Sequence, residues 1–121
     1  MSAAALDWRA MKTKHRLIAG LAFVAAGIPA IVAADAKANW DEHCAKCHGA
    51  TGKADTKLGQ RLKLKDYSDA KVQAALTDET LLTATLKGVT VDGKEKMAGY
   101  ADKITTAEGQ AIVALIRSFK Q

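Results

Sequence analysis

The chain has 121 residues, 49% hydrophobic but only 5% aromatic, with two cysteines, one proline and a formal net charge of +5. Such a length holds one domain at most. No basic run or aromatic stacking platform speaks for a nucleic acid, and a disulfide between cysteines three apart closes too short a loop to staple a small fold.

The first third stands apart. Residues 17–34 read LIAGLAFVAAGIPAIVAA, eighteen residues without a charge, preceded by Arg9, Lys12, Lys14 and Arg16 and closed by Val32-Ala33-Ala34. A basic region, an apolar stretch and a small-residue exit describe a secretory signal peptide. Residues 1–34 are therefore expected to be a leader, with Met11 of MKTKHR as an alternative start, and residues 35–121 the working domain. The competing reading is an uncleaved membrane anchor, since eighteen apolar residues approach the length of a spanning helix; Gly20, Gly27 and Pro29 weaken it. Either way the domain is expected outside the cytoplasm, in a periplasm. The leader carries four of the 18 basic and one of the 13 acidic residues, so the domain's charge is nearly balanced. The domain keeps four aromatics, Trp40, Tyr67, Tyr100 and Phe119. A core this thin is marginal unless something staples or fills it.

Residues 36–47 lack proline and glycine and set Trp40, Cys44, Cys47 and His48 at i, i+4, i+7 and i+8, one face of a predicted helix that Gly49 and Gly52 end. The polar stretch ATGKADTKLGQRLKLKDY reads as a long loop with Leu58, Leu62 and Leu64 turned inward. Ser68 is the predicted cap of a helix over DAKVQAAL, with Val72, Ala75 and Leu76 on its inner face. Thr77 caps the next helix, with Asp78 and Glu79 in its first turn, Leu81, Leu82 and Leu86 buried, and Gly88 as its stop. VTVDGKEKMAGY reads as a loop with an Asp92-Gly93 turn. Thr105 and Glu108 make a capping box for the last helix, in which Ile112, Leu115, Ile116 and Phe119 fall at i, i+3, i+4 and i+7. No segment shows a strand pattern, so the expected class is all-α.

The segment HCAKCHG holds both cysteines and two of the three histidines. A zinc site needs four ligands, or three and a water, and no second ligand pair is in view. A thioredoxin-like dithiol expects a βαβ surrounding, which is missing. C-x-x-C-H is the attachment motif of c-type haem, and each residue then has a task. Cys44 and Cys47 add across the two vinyl groups as thioethers, and His48 is placed to bind the iron. One haem would also supply the apolar bulk that the core lacks.

The iron's other axial position has four candidates: methionine, a second histidine, a lysine, or nothing. Met97 is the one methionine after the leader and sits in a polar, turn-rich loop where no helical stripe calls for it. A lone methionine is usually a core residue. The rival, His43, precedes the cysteine helix and is expected on the same side of the haem as His48. Met97 is the expected distal ligand. A Met/His pair raises the reduction potential and closes the iron to ligands, as suits an electron carrier.

With these parts, WDEHCAKCHG, then LKDYSDAKVQAALTDETLLTATLKGV, then KMAGYADKITTAEGQAIVALIRSFK, the chain resembles the class I cytochromes c, especially the small soluble bacterial ones, over essentially residues 36–119. The resemblance implies short helices wrapped around one covalent haem, Cys44 and Cys47 as thioether residues, His48 as proximal and Met97 as distal ligand, and Trp40 packing the first helix across the last near Leu115. The sequence departs from the family in three places. Gly59-Gln60-Arg61-Leu62 stands where Gly-Pro-x-Leu is common, leaving the carbonyl that orients His48 unassigned. Ala98 follows Met97 where proline is common, and Leu115 replaces an aromatic.

The implied function is one-electron transfer between periplasmic or membrane redox partners, by a carrier rather than an enzyme. Lys46, Lys53, Lys57, Lys94 and Lys96 flank the haem-binding segments and would steer it to acidic partners, against the plainer reading of a solvated lysine surface. Tyr67, Tyr100 and Arg61 are candidate haem neighbours. Two other readings stand beside this one: a permanent electron-accepting subunit of a dehydrogenase or oxidase complex, and a ligand-binding haem sensor or peroxidase-like domain, which the lack of a distal His/Arg pair disfavours.

Overall fold

The computed structural model describes Gly27 and residues 30–121. The leader assignment lies outside the described residues except at its end, where α1 (Ala30–His43) begins. Ala36 is buried in the core, whereas Ile31 in the first turn is exposed. Among the described residues, no helix is long and apolar enough to cross a membrane.

The helix expected through Cys47 is two. Cys44 separates α1 from α2 (Ala45–His48) and has φ −113° and ψ −40°. The amides of Cys47 and His48 both reach the Cys44 carbonyl, at 3.1 and 2.9 Å. Gly49, at φ 82°, ends the motif. The stretch read as a long loop contains α3 (Lys57–Leu62), because the Thr56 hydroxyl accepts from the Gly59 amide and caps it. Leu58 and Leu64 are half-buried as expected; Leu62 is exposed.

The cap of α4 (Ala70–Ala75) is Asp69 rather than Ser68, its carboxylate accepting from the Lys71 amide. Ser68 is occupied one turn earlier, donating through its amide and hydroxyl to Asp66. The inner face also differs. Val72 and Leu76 are half-buried, Ala75 is exposed, and the buried residue of this helix is Gln73. Helix α5 (Asp78–Lys87) has its expected Thr77 cap and Gly88 stop, with Leu81 and Thr85 buried and Leu82 and Leu86 packed at the edge of the core.

The expectation of an all-helical chain needs one correction. Strands β1 (Val89–Val91) and β2 (Lys94–Met97) form an antiparallel hairpin, and the fold is mostly helical with this one small sheet. Asp92 and Gly93 both take positive φ, 50° and 72°, the geometry of a two-residue hairpin turn whose twist matches the strands.

Helix α6 (Thr106–Ser118) carries the expected capping box, with Ile112 and Ile116 buried. It packs along α1, the most extensive helix–helix contact in the fold. Trp40 is 1% exposed and meets Phe119 edge-on at 5.1 Å, so the first and last helices do pack through Trp40. The core joins Trp40, Cys44, Leu81, Ile104, Ile112, Val113 and Ile116.

Candidate functional site

The functional residues surround a cleft between the α1–α2 break and the hairpin. Its outer part, a cavity of about 140 Å³ open to solvent, is lined by His43, Cys44, Cys47, His48, Leu62, Leu64, Lys96, Met97, Ala98 and Tyr100. An inner part continues among Trp40, Cys44, His48, Tyr67, Leu81, Thr85, Met97, Ile112 and Ile116. Of the four residues singled out in the sequence, Cys44, His48 and Met97 line both parts and Cys47 the outer one. His43 lines only the outer part, so the structure sets Met97 deeper than its rival.

Local structure explains each position. The single turn of α2 puts Cys44, Cys47 and His48 on the cleft wall, and the Trp40 indole N–H donates to the Gly49 carbonyl at 3.0 Å, fixing the end of that turn. Thr56 braces it from below, donating to the Cys47 carbonyl at 2.8 Å. Gly59 is the residue that allows α3 to sit there: a Cβ would stand 2.5 Å from the Cys47 carbonyl oxygen. The Gly59 slot, where the resemblance placed a Gly-Pro pair, thus packs on the cysteine motif without proline.

Met97 owes its direction to a bulge. Val89 pairs with Met97, but the next residue, Thr90, pairs with Glu95, so Lys96 is the extra residue on β2. Alternation would send Lys96 and Met97 to opposite faces of the strand. A bulge re-aims side chains, and here both line the cleft.

The electrostatics separate the possible uses of the thiols. Burial, with a smaller contribution from Cys47, pushes the Cys44 thiol up to about 11. A redox dithiol needs a thiol pushed down, so Cys44 is unsuited to that role. Among the described residues no group of three or more His, Cys, Asp or Glu side chains is arranged to hold a metal ion. Burial lowers the His48 pKa, which keeps the imidazole neutral and able to ligate. Among the described residues its buried Nδ1 has no hydrogen-bond partner, so none of their carbonyls fills the orienting role that the sequence left open. Two unbridged thiols, a neutral imidazole and a thioether around one largely apolar cleft fit a haem.

Aromatic rings hold the histidine in place of that carbonyl. Tyr67 stacks on His48 with centroids 5.5 Å apart and planes 17° apart, and Trp40 lies tilted at 5.8 Å. Burial, and then the charge of Cys44, raises the Tyr67 pKa, so its hydroxyl stays protonated. Tyr100 lies at the outer mouth, and Arg61 is exposed and lines neither part. Lys46, Lys53, Lys57 and Lys94 are exposed, and only Lys96 of the five flanking lysines reaches the cleft. Sequence reasoning missed Thr56, a threonine directly before the first residue of α3 and so a recognisable cap, and Ala98, which carries no signal for cleft lining; Leu64, read as turned inward, lines the outer part.

A mostly helical fold wrapped around one cleft that gathers C-x-x-C-H and a methionine defines a c-type cytochrome of class I type. The chain belongs to the family described as cytochrome c oxidase, cbb3-type, subunit III, whose model matches residues 32–116. Among solved structures it is similar to the KustC0563 c-type cytochrome, with 32% identity and a TM-score of 0.64 over 72% of this chain and 99% of that one. A tyrosine-to-phenylalanine mutant of Kustc0563 matches with 32% identity and a TM-score of 0.62 over 71% and 99%. Comparison with curated proteins finds no match. The chemistry of c-type cytochromes is haem-based electron transfer, and they are generally carriers rather than enzymes.

Proposed function

We propose that this chain is an exported one-electron carrier holding a single haem c through thioether bonds at Cys44 and Cys47, with His48 as proximal and Met97 as distal ligand. The observation that carries this reading is the shared lining of the cleft: His48 and Met97 alone among the candidate axial ligands reach both of its parts. When bound, the haem supplies the Fe(II)/Fe(III) couple. The chain supplies the rest. Cys44 and Cys47 anchor, Tyr67 and Trp40 hold the His48 ring, the bulge at Lys96 aims Met97, and the core residues Leu81, Ile112 and Ile116 exclude water from the inner wall. Exclusion of water and a thioether ligand both favour the reduced iron. Lys96 at the cleft, with the exposed Lys46, Lys53, Lys57 and Lys94 flanking the haem-binding segments in sequence, favours brief encounters with acidic redox partners.

The visible spectrum of the exported protein tests the reading. A sharp low-spin α band after reduction and a weak far-red band in the oxidised form are expected; a high-spin oxidised spectrum would refute the Met/His pair. A second reading, an electron-accepting module held permanently in an oxidase assembly, takes its support from the family's description. Gel filtration of a native periplasmic extract with haem staining separates the two: a free carrier elutes at the size of the single domain.

A further inference from the structure

The break between α1 and α2 leaves a carbonyl without a helical partner. In an unbroken helix the His43 carbonyl would accept from the amide of Cys47, but that amide turns to the Cys44 carbonyl instead. The group that takes its place comes from the other side of the cleft. The Tyr100 hydroxyl donates to the His43 carbonyl at 3.1 Å, across 57 residues of sequence. Tyr100 stands three residues after Met97, and its ring lies against the His43 imidazole at 5.3 Å, with the Lys103 ammonium 5.5 Å over the same ring. Below the ring, the backbone is pinned to α5. The Tyr100 amide donates to the Thr85 carbonyl at 3.0 Å and the Ala101 amide to the Leu86 carbonyl at 3.1 Å.

We infer that Tyr100 is a positioning residue for the distal ligand: its hydroxyl straps the lip of the cleft that carries Met97 to the lip that carries the cysteine motif. The inference rests on the reading of Met97 as the sixth ligand. The hairpin and the α5 contacts fix the Met97 segment to its own lip only. A swing of that lip away from the cysteine motif keeps all of them. Among the described residues, the Tyr100–His43 hydrogen bond is the one that crosses the mouth and resists such a swing. It also caps a carbonyl that the helix break would otherwise leave half-buried and unpaired, which a carbonyl tolerates poorly. The strap therefore sets how often Met97 leaves the iron, and with it how well the site excludes outside ligands.

The test uses the full haem-loaded protein and its Tyr100→Phe variant, which keeps the ring against His43 and Lys103 and removes only the hydroxyl. Stopped-flow binding of cyanide to the oxidised protein reads the opening. One neutral hydrogen bond contributes about 1 kcal/mol net, so Tyr100→Phe should bind cyanide about fivefold faster and about fivefold more tightly, with its far-red band retained. His43→Ala keeps the carbonyl, and both values should stay within about twofold of the parent. Unchanged cyanide binding in Tyr100→Phe, even with a lowered melting temperature, would overturn the strap and leave the Met97 reading standing. An effect of the same size in His43→Ala would show that the imidazole contact holds the lip, and would overturn it too. Absence of the far-red band from the unmutated protein would overturn the Met97 assignment and the strap together.

Discussion

Gln73 is the least expected member of the core, and replacing it with leucine tests how the last helix is held. The side chain is 5% exposed. Its amide nitrogen donates to the carbonyls of Tyr67 at 2.7 Å and Ile116 at 2.8 Å, and its oxygen accepts from Arg117 at 2.8 Å. Gln73→Leu removes all three bonds at nearly constant volume. The losses are unequal. The Ile116 carbonyl still receives the Phe119 amide at 3.2 Å, and Arg117 keeps the carbonyls of Gln73 and Leu76 and the carboxylate of Asp78. Among the described residues the Tyr67 carbonyl has no second donor, and leaving this part-buried carbonyl unpaired costs toward the lower end of the about 1–3 kcal/mol of a buried one. The other two bonds add about 1 kcal/mol each, and the added apolar contact returns part of that. A net loss of about 2–3 kcal/mol follows, which in a domain of this size lowers the melting temperature by roughly 10–20 °C. Thermal unfolding of the haem-loaded protein, followed by far-UV circular dichroism, measures it. Asp78→Asn is the control: the Asp78 carboxylate is exposed and Arg117 keeps its carbonyl partners, so loss of this ion pair should cost less than about 1 kcal/mol. A Gln73→Leu variant melting within 2 °C of the parent would refute the claim that this amide clamps α4 to α6.

Replacing Cys44 or Cys47 with serine should abolish or sharply reduce covalent haem staining on a denaturing gel, and full retention in both single variants would sink the attachment proposal. Met97→Ala should keep haem staining but lose the far-red band and shift the potential downward. It should also bind cyanide about tenfold or more tightly, because the open state is then no longer a minor one; His43→Ala should leave spectrum and potential nearly unchanged, and the reverse pattern would make the haem bis-histidine. Glu108 lies below the usual 4.5 because its carboxylate accepts first from the Thr105 amide and then from the Thr105 hydroxyl. That stabilisation is present above pH 4.5 and is lost as pH falls through the depressed value, so Glu108→Gln should flatten this part of the melting-temperature profile, and parallel profiles for the two proteins would contradict it.

The local chemistry of this protein was legible in the sequence wherever neighbours along the chain supply it. Thr77, Thr105 and Glu108 cap the helices they were expected to cap, Gly88 ends α5, and C-x-x-C-H stands on a single helical turn, because caps and motifs involve residues within four positions of one another. The hairpin was half legible. Val-Thr-Val before Asp-Gly is a strand and turn signal, but the lysine-rich strand opposite masked it, since an exposed strand needs no apolar alternation. Ser68 and Asp69 are equally good caps by composition, and only the competing bonds from Ser68 to Asp66 decide between them. Nothing local announces that Gln73 is buried, because its partners lie six and 43 residues away. The same holds for the bulge that aims Met97 and for the hydroxyl that reaches from Tyr100 to His43. The sequence determined which groups are available to hold an iron; which of them face one another, and how firmly, was decided by packing between segments distant in the chain.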